Sequence, residues 1–223
     1  MTTTETVKLE KKKSHQSYKT ANGVKVPGAS TISKIGDDPG ALIHWAWKLG
    51  ADGQDYRAVR DNAADIGTIA HFMIECHLNG KTPDLSECSP EDVSKAENAF
   101  LKFLEFWDRE GFTIIAPEVQ LVSELHGFGG TLDAPVTDRE GNYVLLDWKT
   151  SKDIYLAYFS QLAGYENLWN ENFPDKKISR RAIIRIGKEE IGDFEVRWLS
   201  DMGKYWNMFL AQLALYQAKK GMK

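Results

Sequence analysis

The chain has 223 residues, of which 42% are hydrophobic and 27% charged, and its formal net charge is −4. That length suits one sizeable domain and is short for two, and the balance is ordinary for a soluble globular protein. No apolar run approaches the roughly 20 residues needed to cross a bilayer, no signal-peptide core opens the chain, and Cys76 and Cys88 are too few for a disulfide framework or a four-cysteine iron–sulfur cluster. The expectation is therefore an intracellular, reduced protein without a membrane segment. The acidic balance leaves no overall electrostatic footprint for nucleic acid, although a carboxylate-lined metal site would itself make the total more negative.

Residues 1–17, with Lys11-Lys12-Lys13 and no apolar period, read as a flexible tail, and residues 18–223 as a single domain. Tyr18 to Val26 suits a small hairpin around Asn22-Gly23, and Pro27 to Leu49 one or two short helices carrying Trp45 and Trp47. Core packing is the preferred reading of these two tryptophans over stacking on unpaired bases. Helical spacing of Val59, Ala63, Ile66, Ala70, Met73 and Ile74 predicts a helix from about Gln54 to Leu78, stopped at Asn79-Gly80. A second long helix is expected from Pro90, behind Ser89 as N-cap, to Glu110. Strands are expected at about 112–124, 128–137 and 143–150, then a helix over 155–172 ended by Pro174. Strands near 180–187 and 192–199 and a closing helix near 201–219 complete an α/β fold, a central mixed β-sheet flanked by helices.

The stretch from Gly127 to Lys152 carries the chemistry. It reads as two strands joined by the polar turn Asp138-Arg139-Glu140-Gly141-Asn142. If the hairpin is symmetric about Glu140, paired residue numbers sum to 280 and Asp133 stands opposite Asp147. Directly opposed carboxylates lie roughly 5 Å apart and repel, which a fold tolerates most easily with a cation between them. An all-oxygen environment suits Mg²⁺ or Mn²⁺. Alternation along the second strand puts Asp147 and Lys149 on one face, with Leu146 and Trp148 on the other.

The Asp-x-Lys triplet alone is uninformative, because Glu10/Lys12 and Asp175/Lys177 repeat it as often as composition would give. Only the Asp147 copy ends a buried-strand sequence, Tyr143-Val144-Leu145-Leu146, where an unpaired acid costs several kcal/mol. A structural Asp–Lys pair is the bland alternative. Further candidates are His71, which follows the small-residue helix segment Ala63–Ala70, and Glu118, which follows Pro117 one strand earlier and could support a second ion through water. Gln161 and Tyr165 share a helix face at spacing i, i+4; Gln161 could contact a phosphate, and Tyr165 could stack on a base or pack beside the site. Lys176, Lys177, Arg180, Arg181 and Arg185 form a basic stretch that suits either a phosphate backbone or a solvated face.

Gly67/His71, Glu118, Gly130/Asp133, Asp147/Lys149 and Gln161/Tyr165, in this order, resemble the RecB-type, lambda-exonuclease-like branch of the PD-(D/E)XK nuclease superfamily. Val26-Pro27-Gly28-Ala29-Ser30-Thr31 resembles the opening of phage-encoded members, and Leu132 replaces the proline of the superfamily's name. The resemblance implies a restriction-endonuclease-like core and a metal-dependent DNA nuclease, an exonuclease in recombination, repair or degradation. It implies Mg²⁺ or Mn²⁺, one or two ions, on His71, Asp133, Asp147 and the main-chain carbonyl of Trp148. Lys149 would orient or help deprotonate the attacking water, and Gln161 and Tyr165 would hold the DNA strand. A non-catalytic nucleic-acid-binding member of the same fold is the alternative. Oligomeric state is not legible in the sequence.

Overall fold

The computed structural model describes residues 5–9, 17–37, 39–187 and 194–222. In chain order the elements open with β1 (Thr6–Lys8), β2 (Tyr18–Lys19), β3 (Lys25–Val26), α1 (Ala29–Ile32) and α2 (Gly40–Ala51). There follow α3 (Tyr56–Leu78), β4 (Thr82–Asp84), α4 (Pro90–Glu110), β5 (Thr113–Ile114), β6 (Val119–Ser123), β7 (Phe128–Leu132) and β8 (Ala134–Thr137). The last are β9 (Tyr143–Lys149), α5 (Leu156–Asn172), β10 (Arg180–Ile186), β11 (Phe194–Leu199) and α6 (Gly203–Gly221). The long helices start where side chains satisfy their orphan amides: the Asp55 carboxylate accepts from Arg57 N at 2.8 Å and Ser89 Oγ from Asp92 N at 3.2 Å. Gly111 ends α4 in the left-handed region, at φ 66°.

The fold is mixed α/β. Its central sheet has the strand order β11-β10-β9-β8-β5, with β9 and β10 parallel and the other neighbours antiparallel. The parallel step is made through α5, as a crossover connection requires. Val144, Leu146, Trp148, Ala182, Ile184 and Ile186 pack on one side with Ile66, Ile74, Phe103 and Phe106 of α3 and α4. Leu145 and Ile183 pack on the other side with Leu162, Leu168, Trp169, Phe209 and Leu213 of α5 and α6. Covered on both faces, β9 therefore reads as a continuous apolar run rather than an alternating one.

Three expectations need correction. The segment 1–17 is not wholly a tail: Thr6–Lys8 forms β1, paired in parallel with β4, itself unforeseen, and Leu9 packs against the α3/α4 core. The ion pairs Lys8–Glu87 and Lys81–Glu5 flank this ribbon; residues 1–4 and 10–16 lie outside the described part. The strands expected over 112–124 and 128–137 each divide, the first into β5 and β6 around Pro117, which lacks the amide a ladder needs, and the second at Asp133 into β7, paired with β6, and β8, in the central sheet. Trp47 is not in the core; it is 66% exposed and stacks on His44 at 5.7 Å between ring centroids.

Candidate active site

The β8–β9 ladder pairs Ala134 with Leu146, Pro135 with Leu145, Val136 with Val144 and Thr137 with Tyr143, so every pair sums to 280. The turn closing it is held by Asp138, whose carboxylate accepts from the amides of Glu140 (3.1 Å) and Asn142 (2.8 Å) and from Asn142 Nδ2 (3.2 Å). Asp133, one residue past the last pair, occupies the bend between β7 and β8 and stands opposite Asp147. Its Oδ2 accepts from Trp148 N at 3.1 Å. The indole of Trp148 turns to the other side of the sheet, where it meets Phe103 edge to face at 5.5 Å.

Asp147 is completely buried, and no main-chain amide or hydroxyl donates to its carboxylate. Lys149 Nζ makes an ion pair with it at 2.6 Å from Oδ2. Burial pushes the Asp147 carboxyl up to about 7; Lys149 and His71 oppose this and Asp133 adds to it. Asp133 is raised by burial against the pull of Lys149 and the Trp148 amide. Burial acts to lower the Lys149 ammonium, but Asp147 and Asp133 outweigh it and hold the group above its ordinary range. The lysine therefore stays charged.

Other elements close around this pair. His71, on α3, is near enough to act electrostatically on Asp147. Glu118, just before β6, has φ 52°, a conformation that costs a side-chain-bearing residue about 1–2 kcal/mol. Its amide donates to the Asp133 carbonyl at 3.0 Å, and its charge adds to the raising of the Asp133 carboxyl. The strained residue thus braces the bend that carries Asp133.

Gln161 and Tyr165 are both buried on α5, and Gln161 Nε2 donates to Tyr165 Oη at 2.5 Å. At 6% exposure the Tyr165 ring is packed beside the site and is not open to a base. Burial raises its phenol well above the ordinary range, with Asp147 and Asp133 adding to the effect, so it remains protonated. The ring lies flat enough on β7 that a Cβ at Gly130 would meet Tyr165 Cε1 at 2.6 Å and Leu168 Cδ1 at 2.9 Å. Gly130→Ala is expected to cost about 1–3 kcal/mol by overpacking and to move the Tyr165 hydroxyl. A chemical melt no lower in midpoint than wild type refutes this.

The basic stretch 176–185 divides. Arg180 lies over the Trp198 ring at 4.2 Å, whereas Arg181 is buried against Glu166. Arg185, paired in register with Lys149, is buried on the face that Asp147 and Lys149 share. Its place beside Lys149 was missed in the sequence, although the alternation Arg181, Ile183, Arg185 carried the signal.

Among the described residues no three His, Cys, Asp or Glu side chains already form a cluster shaped to hold an ion. The chemistry of the donors still fits one. A buried carboxyl, Asp147, faces a half-buried one, Asp133; an imidazole is within electrostatic reach, and no main-chain amide or hydroxyl donates to Asp147. In the metal-free chain the Lys149 ammonium supplies the positive charge beside Asp147 Oδ2.

No family model matches the chain, and no curated protein matches it. Among solved structures it is similar to a chain from Eubacterium rectale bearing a provisional exonuclease name, at 13% identity and TM-score 0.45, with 69% of this chain and 65% of that one covered. The match thus spans under two thirds of that protein's length. SSO0001 matches at 13% identity and TM-score 0.35 over 69% of this chain and 74% of that one. LHK-Exo in complex with dAMP matches at 14% identity and TM-score 0.36 over 72% and 91%.

Proposed function

We propose that this chain is a divalent-metal-dependent deoxyribonuclease of the RecB-type PD-(D/E)XK class, acting as an exonuclease on phosphodiester bonds. The carrying observation is the buried Asp147, to which no main-chain amide or hydroxyl donates, standing opposite Asp133 with the Lys149 ammonium at 2.6 Å. Two opposed acids share the close Lys149 ammonium, and a divalent cation between them would offset their mutual repulsion and the several kcal/mol that burying an acid costs. His71, Asp133, Asp147 and the Trp148 carbonyl would hold Mg²⁺ or Mn²⁺, with Glu118 behind Asp133. When bound, such an ion lowers the pKa of a water and polarises the phosphate.

The remaining roles belong to the chain. Lys149, charged throughout the physiological range and beside Asp147, would face the scissile phosphate. There it orients the attacking water and offsets the charge that builds on the phosphoryl oxygens. Tyr165, kept protonated and oriented by Gln161, offers a hydroxyl toward the same anions.

The test is to incubate end-labelled linear and covalently closed circular DNA with Mg²⁺ or Mn²⁺, with and without EDTA. Degradation of linear DNA alone, lost in EDTA and in Lys149→Ala, is the expected result. Cutting of circles overturns the exonuclease part. DNA binding without cleavage favours a non-catalytic member of the fold, and neither binding nor cleavage returns Asp147 and Lys149 to a structural pair.

A further inference from the structure

Resting on the reading of Asp147 and Lys149 as the reaction centre, we propose that Tyr158, in the first turn of α5, is a positioning residue that aims the Lys149 ammonium at the scissile phosphate. A lysine is a compact charge on a long flexible stem, so one contact does not fix where its head points. Asp147 Oδ2, two positions back on the same strand, lies 2.6 Å from Lys149 Nζ. The same nitrogen lies over the Tyr158 ring, 5.3 Å from its centroid. These partners act differently. Asp147 carries the charge offered to the proposed ion, so its hold on the lysine would be shared. The ring is neutral and attracts the ammonium through its quadrupole, leaving the positive charge whole for a phosphate. The Lys149 side chain is only 15% exposed, so water screens this attraction little.

The backbone that carries Tyr158 is fixed by contacts that do not involve Lys149. Between β9 and α5, Ser151 Oγ donates to the Asp153 carbonyl at 2.7 Å, and Ile154 N donates to Asp153 Oδ1 at 2.7 Å. Ile154 and Phe159 are buried in the core that α5 shares with α6, and Tyr158 itself is half-buried against it. Tyr158 N donates to the Tyr155 carbonyl at 3.0 Å, and the two rings meet edge to face at 5.6 Å. The ring is thus held in place before the lysine reaches it, which is what a fixed aiming point requires. Packing alone would need only the volume of this side chain; aiming an ammonium needs the face of its ring.

The experiment compares Tyr158→Phe, which keeps the ring, with Tyr158→Leu, which stays apolar without one, at a temperature where thermal melts show all the proteins folded. In EDTA, NMR of isotope-labelled lysine reads the geometry, because nuclei above an aromatic face are shielded. The Lys149 ε-methylene signal, assigned by its loss in Lys149→Arg, is expected upfield of the exposed lysines in the wild type and in Tyr158→Phe, and to move back in Tyr158→Leu. With Mg²⁺ and linear DNA, Tyr158→Leu is expected to lower kcat about tenfold while KM changes by less than about twofold, and Tyr158→Phe to recover most of the loss. An unshifted Lys149 signal in the wild type, an unchanged kcat in Tyr158→Leu, or equal losses in the two variants overturns the proposal. Wild-type cleavage with an unshifted signal refutes the role of Tyr158 alone. A shifted signal without wild-type cleavage refutes the nuclease reading and leaves the ring and the ammonium as a structural contact.

Discussion

If the proposed function holds, Asp147→Asn is expected to lower DNA cleavage by at least about 10²–10³-fold, because it removes the negative charge offered to the proposed ion while keeping the side chain's shape. The same substitution has a second readout that does not depend on activity. In the folded, metal-free protein burial holds the Asp147 proton up to about pH 7, whereas the ordinary aspartate value is 3.8. Between those values the native state binds the extra proton, so stability falls as pH rises through the window. The loss is complete above pH 7, at up to about 4 kcal/mol. Asparagine has no proton to release, so the wild type should decline relative to Asp147→Asn between pH 5 and pH 8 in EDTA. Urea melts at the two pH values measure it. A difference between the proteins that does not change with pH contradicts the burial argument, and undiminished cleavage contradicts the catalytic one.

Arg181→Met is expected to cost about 3–5 kcal/mol, the largest stability effect of any single substitution considered. Arg181 and Glu166 have side chains only 10% and 11% exposed, and they meet through two guanidinium nitrogens. The arginine also reaches the carbonyls of Ser179 (3.3 Å) and Ser200 (3.4 Å), tying β10 to the segments on either side. Removing it leaves Glu166 buried without a counter-charge. For a chain of this size the midpoint of thermal melting should fall by roughly 10 °C. Arg181→Met with Glu166→Leu should regain most of the loss, since a well-packed apolar pair is often as stable as a buried ionic one. A double variant no more stable than the single one would show that the arginine acts through its carbonyl contacts instead.

Much of this was legible because short-range chemistry and long-range packing agree. The polar turn at 138–142 and the apolar run before Asp147 set both the register and the faces of β8 and β9, and the ladder has the expected sum. The helix starts at Asp55 and Ser89 follow from side-chain oxygens that satisfy free amides. What failed depends on tertiary context. Val7 and Leu9 give too short an apolar signal to reveal β1, which exists only because β4 offers it an edge. Nothing local distinguishes Trp47, on the surface, from Trp169, in the core. The burial of Gln161 was invisible because it is set by how α5 packs in the fold, and spacing i, i+4 with Tyr165 shows only that the two share a face. The left-handed Glu118 depends on the bend at Asp133, 15 positions later.

The hairpin between β8 and β9 works as a calliper. Its turn lies about five residues, or roughly 16 Å, from the acid pair. The number of residues in that turn alone decides which residue of the first strand faces Asp147. One residue added between Asp138 and Asn142 would advance the pairing by a position, turn Asp133 out of opposition and reverse the faces of the strand. Exchanges that keep the loop's length would leave the spacing of the acids intact. The tolerance of this loop should therefore be governed first by how many residues it holds, with Asp138, whose carboxylate closes the turn, and Gly141, at φ 82°, as its fixed positions.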